Sequence, residues 1–404
     1  MRFRGGCFVV VCLLAAGCAG GSSSTPRGRS ATTTPRAVSQ STTAGGSPAS
    51  TACSNASAVS TWTLQRRVSF LVVAPVLNFD LTTVRLAAWM GAGGVLFLGG
   101  AAPPAGLGAQ LRSALSSGAG PPPAAMADEE GGGIQRLTGP VVSLPWARTM
   151  ASTMSTAQVE SLLAAAGSQM RSLDIAYDLA PVADVDAAAG PSATDPDGQR
   201  SFSGDPAVAS EYAVAYGSGL MRGGVIPVVK HFPGLGGASG NTDNGPATTP
   251  PFSTLETRGL VPFRAAVAAG APAVMVSNAS VPGLTSLPAS LAPAVVSGLL
   301  RSTLGFHGLV LTDSLSAGAI AAADYDVPRA SVAAVAAGAD MVLFGSTLTP
   351  QDVELLSPTN VGATFQRVTS ALVSAVDAGG IPVSRIDGAV EDVLAADHVN
   401  LCGG

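Results

Sequence analysis

Asp, Glu, Lys and Arg make up 12% of this 404-residue chain, and only three residues are histidines. One of the three lies in "KHFPGLGGASGNTDNGP", where Lys230 and His231 precede a Gly-rich turn and a polar run containing Asp243. Asp313 directly follows the apolar run of "GLVLTDSLS". Asp128, Glu129 and Glu130 follow a second such run, Asp184 and Asp186 a third, and Asn278 a fourth. A carboxylate in such a place can be a nucleophile, a metal ligand or a cap on backbone N–H groups. The histidines are too few, and the carboxylates too irregularly spaced, to read as a metal centre, and no cofactor is expected.

The elements that must position these groups alternate along the chain. Short β-branched runs such as "RRVSFLVVAP", "GGVLFLGG", "GVIPVVKHFPG", "APAVMVSNASV" and "GADMVLFG" read as strands buried on both faces. Helical stretches lie between them. One begins after Ser155 as N-cap, one runs from Pro206 to Gly223, and "SLAPAVVSGLLRSTLG" and "VPRASVAAVAAG" follow the same grammar. Two more, near 361–378 and 383–397, close the chain. Eight strands with helical crossovers predict an α/β fold, a single-domain (β/α)8 TIM-type barrel over 53–404. An open doubly wound sheet is the alternative, but no Gly-x-Gly-x-x-Gly opens its first turn. In a barrel, chemistry belongs at the C-terminal strand ends, and the polar residues above collect there.

The N-terminus reads as a lipoprotein signal peptide over 1–17: Arg2 and Arg4, the apolar "CFVVVCLLAAG", then small residues before Cys18, the expected lipidation site. Residues 18–52 form a Ser/Thr/Pro/Gly-rich tether with nothing to bury. Export to the outer face of the cell membrane allows oxidation, and Cys53 and Cys402 are expected to pair. The expected membrane contact is through the lipid alone. A net charge of −5, with no basic stripe, excludes nucleic acid as a partner.

"ADEEGGGIQRL", "DLAPVADVD", "GQRSFSGDP", "VVKHFPGLG", "LPASLAP" and "GFHGLVLTDSLS" occur in the order found in glycoside hydrolase family 3. From about 62 to 395 the chain resembles that family's single-domain bacterial β-N-acetylglucosaminidases. The resemblance implies retaining hydrolysis with Asp313 as nucleophile. It also implies that Asp128, Arg200, Lys230 and His231 bind sugar hydroxyls, where charged partners give the stronger hydrogen bonds. The implied ligand is a terminal β-N-acetylglucosamine of cell-wall peptidoglycan fragments. Structural roles stand beside these: an imidazole that only supports its neighbours at His231, a loop-ordering bridge at Arg200, and scaffold or helix-terminus duty for Glu129 and Glu130.

The acid/base loop departs from the pattern. Relatives read Lys-His-Phe-Pro-Gly-His-Gly, four residues, then Asp-Ser-His. This chain has Leu235 in place of the first histidine and Asn241, Thr242 and Asp243 in place of Asp-Ser-His. Gln199 stands where an Asp is usual before the arginine, and Asn278 where many relatives have histidine. Three accounts follow. Asp243, with Asn241 donating a hydrogen bond to it, is itself the acid/base; or hydrolysis is slow without a general acid; or the protein is a catalytically impaired carbohydrate-binding relative at the cell surface.

Overall fold

Eight short apolar runs form the strands: Val72–Leu77 (β1), Gly94–Leu98 (β2), Ala124–Ala127 (β3), Tyr177–Asp178 (β4), Ile226–Phe232 (β5), Ala273–Val276 (β6), Leu309–Thr312 (β7) and Val342–Leu343 (β8). The computed structural model describes residues 53–192 and 195–402; the leader, Cys18 and the tether lie outside them. The strands are buried almost throughout, as a sheet covered on both faces requires. They pair in parallel in the order β8-β1-β2-β3-β4-β5-β6-β7. Leu311 bridges Met341, and Thr312 N donates to Met341 O at 3.1 Å, which closes the ring. The fold is the (β/α)8 barrel and not the open sheet.

Strand β4 is shorter than its apolar run. Pro181 has no N–H to give to a ladder, so pairing beyond Asp178 continues irregularly, with Lys230 N donating to Pro181 O (3.0 Å) and Ala183 N to Lys230 O (2.7 Å). The segment Ala294–Thr303, expected as an ordinary helix, is wound as a π-helix. The Ser302 and Thr303 hydroxyls donate to carbonyls five residues back, Ser297 O (2.8 Å) and Gly298 O (3.0 Å), and so supplement its wider turns.

The helix Thr156–Ser172 starts at a capping box, Ser155 with Gln158, and Pro206–Arg222 starts at Asp205 and ends at Gly223. These two helices press together: a Cβ on Gly223 would stand 2.7 Å from Ala164 O and from the Gly167 Cα. The last helices are Pro358–Asp377 and Val383–Ala396. The two ends of the described chain are joined. Cys53 and Cys402 are bonded (S–S 2.00 Å), Asn55 Nδ2 donates to Val399 O, and Leu401 N donates to Asn55 Oδ1, both at 2.8 Å.

Candidate active site at the C-terminal mouth of the barrel

Asp313 is held by its backbone. Its N–H donates to Val276 O (2.9 Å), the extension of the β6–β7 ladder. Thr312 is fully buried, and its Oγ1 accepts Leu343 N (3.2 Å), tying β7 to β8. The following turn is pinned twice. Asn278 Nδ2 donates to Ser314 O (2.7 Å), with Ser290 Oγ on Asn278 Oδ1 (2.6 Å), and Ser314 Oγ donates to Gly345 O (2.8 Å). The Asp313 carboxyl then projects into a cavity of about 230 Å³. Its one hydrogen bond there is from Ser314 N to Oδ1, at 2.7 Å.

A ladder of charges lines one wall. Lys230 Nζ lies 2.7 Å from both Asp128 Oδ1 and Glu130 Oε1. Glu130 also takes Arg200 in a two-pronged pair, Nε at 2.7 Å and Nη2 at 2.9 Å. Burial alone would raise the Glu130 carboxyl, but the Arg200 and Lys230 charges hold it well below the usual carboxylate range. Arg200 Nη2 lies 3.3 Å from His231 Nε2. Arginine can only donate, so Nε2 accepts, and the ring proton is on Nδ1, 2.6 Å from Asp184 Oδ2. Burial and the Arg200 and Lys230 charges push His231 down to about 4, so the ring is neutral. Asp184 also accepts His231 N (3.1 Å) and Leu235 N (2.6 Å), although burial pushes its carboxyl up to about 7.

Asp184, Asp197 and His231 place three donor atoms within 4.8 Å of one another, the one group of metal-ligating type among the described residues. A hydrogen bond already joins two of those atoms, and the Arg200 guanidinium occupies the other ring nitrogen. The cluster is therefore organised as a relay that fixes the imidazole. Asp197 is fully buried, and burial with the Asp184 charge raises its carboxyl well above the usual range.

The loop after β5 also lines the cavity. The β5–β6 register slips between Val229 and Phe232, and there Lys230 and His231 both reach the cavity. Leu235 is buried, fills the place of the missing histidine and lines the cavity. The tip of the loop docks on the helix Gly318–Ala322 that follows Asp313. Gly318 N donates to Asp243 O and Ala319 N to Thr242 O, both at 2.9 Å. A Cβ on Gly318 would stand 2.8 Å from Asn244 C, so the tip sits where only glycine leaves room.

The structure brings Asp128, Arg200, Lys230, His231, Asp243 and Asp313 around one cavity. Asp186 stays outside it and caps its own loop, accepting Ala188 N at 2.7 Å. Asn278 lies behind the Asp313–Ser314 turn, with its Nδ2 on Ser314 O. Two expectations need correction. Asn241 does not serve as a donor to Asp243 in the bond between them: Asp243 N donates to Asn241 Oδ1 (2.9 Å), an Asx turn that shapes the tip. Glu129 and Glu130 sit at no helix terminus but on Glu129–Gly131, which pairs with Ile134–Gln135 in a two-stranded ribbon. Only Glu129 is scaffold. Its Oε1 accepts Leu137 N (2.6 Å), its N–H donates to Asp178 Oδ1 (3.0 Å), and burial pushes it up to about 7. Glu130 belongs to the cavity. The signal for it was the period of two, because Asp128 and Glu130 share a face of an extended segment and Glu129 takes the other. Asp197 was missed; it is a fully buried carboxylate two residues before Gln199.

Residues 92–396 match the N-terminal domain of glycosyl hydrolase family 3. The chain is 40% identical over 294 residues to the Beta-hexosaminidase LpqI of Mycobacterium tuberculosis, covering 71% of each chain. Its fold matches the solved structure of M. tuberculosis LpqI with a TM-score of 0.74 at 35% identity, over 86% of this chain and 97% of that one. It matches the Beta-N-acetylhexosaminidase of Beutenbergia cavernae with a TM-score of 0.72 at 28% identity, over 84% and 99%. With Asp313 and the Lys-His pair at strand ends, and Arg200 brought to the same cavity from the 3-10 turn Gly198–Arg200, this chain belongs to glycosyl hydrolase family 3 and is a glycosyl hydrolase.

Proposed function

We propose that the protein removes a terminal β-linked N-acetylglucosamine from cell-wall peptidoglycan fragments, with retention of configuration and with altered acid/base catalysis. Asp313 is the nucleophile, Asp128, Arg200 and Lys230 hold the sugar hydroxyls, and His231, with both ring nitrogens engaged, positions Arg200. The observation that carries this reading is the Asp313 carboxyl, free of any cation within ion-pair distance among the described residues and projecting into a cavity walled by cations and carboxylates. Charged groups of that kind suit a ring of hydroxyls. Relatives named beta-hexosaminidase support the choice of sugar.

The test is turnover of an aryl N-acetylglucosaminide beside a natural disaccharide fragment, from acid to neutral pH. Release of N-acetylglucosamine as the β-anomer is expected. The loop without an imidazole favours a second reading, a relative that binds the sugar without cleaving it. Saturable binding of N-acetylglucosamine with no turnover of either substrate would establish that reading instead.

We further propose that Cys18 carries the lipid and that residues 18–52 hold the barrel off the outer face of the membrane. No helix among the described residues is long and apolar enough to cross a membrane. Cys18→Ser is expected to move the protein from the membrane fraction to the soluble one; an unchanged distribution refutes the anchor.

A further inference from the structure

We propose that Asp243 is the general acid and base of this cavity and works with Asp313 as a carboxylate pair. The assignment rests on the retaining glycosidase reading above. It starts from what the other ionisable groups on the wall already do. Asp128 and Glu130 are ion-paired with Lys230, and Glu130 with Arg200 as well. His231 donates through Nδ1 to Asp184 and accepts through Nε2 from Arg200, so neither ring nitrogen has a proton to give to a leaving group. Among the described residues lining the cavity, Asp243 and Asp313 are the two carboxyls without a cation within ion-pair distance. Retaining hydrolysis needs one group to attack and one to exchange a proton, most often a pair of carboxyls.

The backbone fixes Asp243 for that work. Its N–H is held by Asn241 Oδ1 and its carbonyl by Gly318 N, while the side chain stays open to solvent at the rim, where a leaving group departs and water arrives. The loop is docked on the helix that follows Asp313, so the two carboxyls are positioned by one assembly. The charges that act on Asp243 are those of Arg200, Asp128 and Lys230, and Asp243 acts on Asp313 in the same cavity. The protein around it strips part of its hydration and raises its carboxyl, as does Asp128, against Arg200 and Lys230. Asp243 in turn raises Asp313, whose burial is the larger cause. Like charges in one cavity favour a single shared proton.

In the first step an Asp313 oxygen bonds to the anomeric carbon. The bond to the leaving oxygen breaks, its electron pair stays on that oxygen, and the Asp243 proton joins it. In the second, water bonds to the anomeric carbon, gives a proton to the Asp243 carboxylate, and the ester bond to Asp313 breaks with its pair returning to Asp313.

The experiment compares wild type, Asp243→Asn and Asp243→His on a dinitrophenyl and an alkyl N-acetylglucosaminide, with and without azide. Asp243→Asn is expected to lose about 10²–10⁴-fold in kcat/KM on the alkyl substrate and less than about tenfold on the dinitrophenyl one, whose leaving group needs no proton. Azide restores turnover in Asp243→Asn on the dinitrophenyl substrate and gives the β-glycosyl azide, because the anion enters once the carboxylate charge is gone. The alkaline limb of the wild-type kcat/KM profile, set by loss of the Asp243 proton, disappears in Asp243→Asn. In Asp243→His it moves towards the imidazole range, ~6.5. Wild-type turnover with an Asp243→Asn loss that is equal on both substrates and insensitive to azide overturns the assignment of Asp243 alone. No wild-type turnover on either substrate overturns it together with the glycosidase reading.

Discussion

Asp313→Asn is expected to remove turnover, by about 10⁴–10⁶-fold in kcat, while leaving the fold and the cavity in place. The change is nearly isosteric. The contacts that hold this turn belong to the backbone and to neighbours: Val276 O on Asp313 N, Leu343 N on Thr312 Oγ1, and Asn278 Nδ2 on Ser314 O. None of these needs the Asp313 carboxylate, and the one contact it makes, from Ser314 N at 2.7 Å, can be kept by the amide oxygen. An amide is a poor nucleophile towards the anomeric carbon, so the bond-forming step is lost and ground-state binding is not. The two effects separate in measurement: kcat falls while the dissociation constant for N-acetylglucosamine stays within a few fold. A slow-turnover fluorosugar is expected to label the wild-type peptide containing Asp313 and not the variant. Retained turnover in Asp313→Asn would point to an attacking group on the substrate itself, as in glycosidases that use the 2-acetamido oxygen. Labelling elsewhere in the chain would also remove Asp313 from the nucleophile role.

The barrel and the place of Asp313 at its mouth were readable for one reason. Strands buried on both faces leave uninterrupted apolar runs, and the first polar residue after each run must lie at the mouth. That rule places Asp128, Lys230, His231 and Asp313 correctly. It fails where the chain leaves the strand. Asp197 lies in an irregular segment with no period to read, and nothing local marks it as a buried partner of His231. Glu130 was misjudged because two adjacent glutamates look equivalent until the alternation of an extended ribbon separates them. Strand β4 was overrun because Pro181 breaks its ladder inside an apolar stretch. The direction of the Asn241–Asp243 hydrogen bond was beyond reach, since an Asx turn and a side-chain donor use the same two residues.

Glu130→Ala is expected to destabilise the fold by about 3–5 kcal/mol, because it takes a buried carboxylate from two buried cations and leaves Arg200 without a close one. The Glu130 side chain is 3% exposed, Lys230 3% and Arg200 13%, so water cannot replace the lost carboxylate without opening the wall. Lys230 keeps Asp128 at 2.7 Å. Arg200 keeps Pro196 O at 2.8 Å, the neutral His231 Nε2 at 3.3 Å and the more distant Asp197, 3.9 Å away. Arg200 therefore carries most of the damage, and with it His231, whose Nε2 it caps. The pH dependence has a definite sign. The folded pKa of Glu130 is depressed, so its contribution is present above the unfolded value, ~4.3, and is lost as pH falls below it towards the folded one. The gap between wild type and Glu130→Ala measured by denaturant unfolding is thus constant at neutral pH and narrows only in acid. Replacing both ends of the broken pair, Glu130→Ala with Arg200→Met, is expected to recover part of the stability while sugar binding is lost, since Lys230 keeps Asp128 and no unpaired cation remains. A Glu130→Ala penalty below about 1 kcal/mol, the range of an exposed pair, would mean that the charged wall is open to water and that it orients the sugar without supporting the barrel.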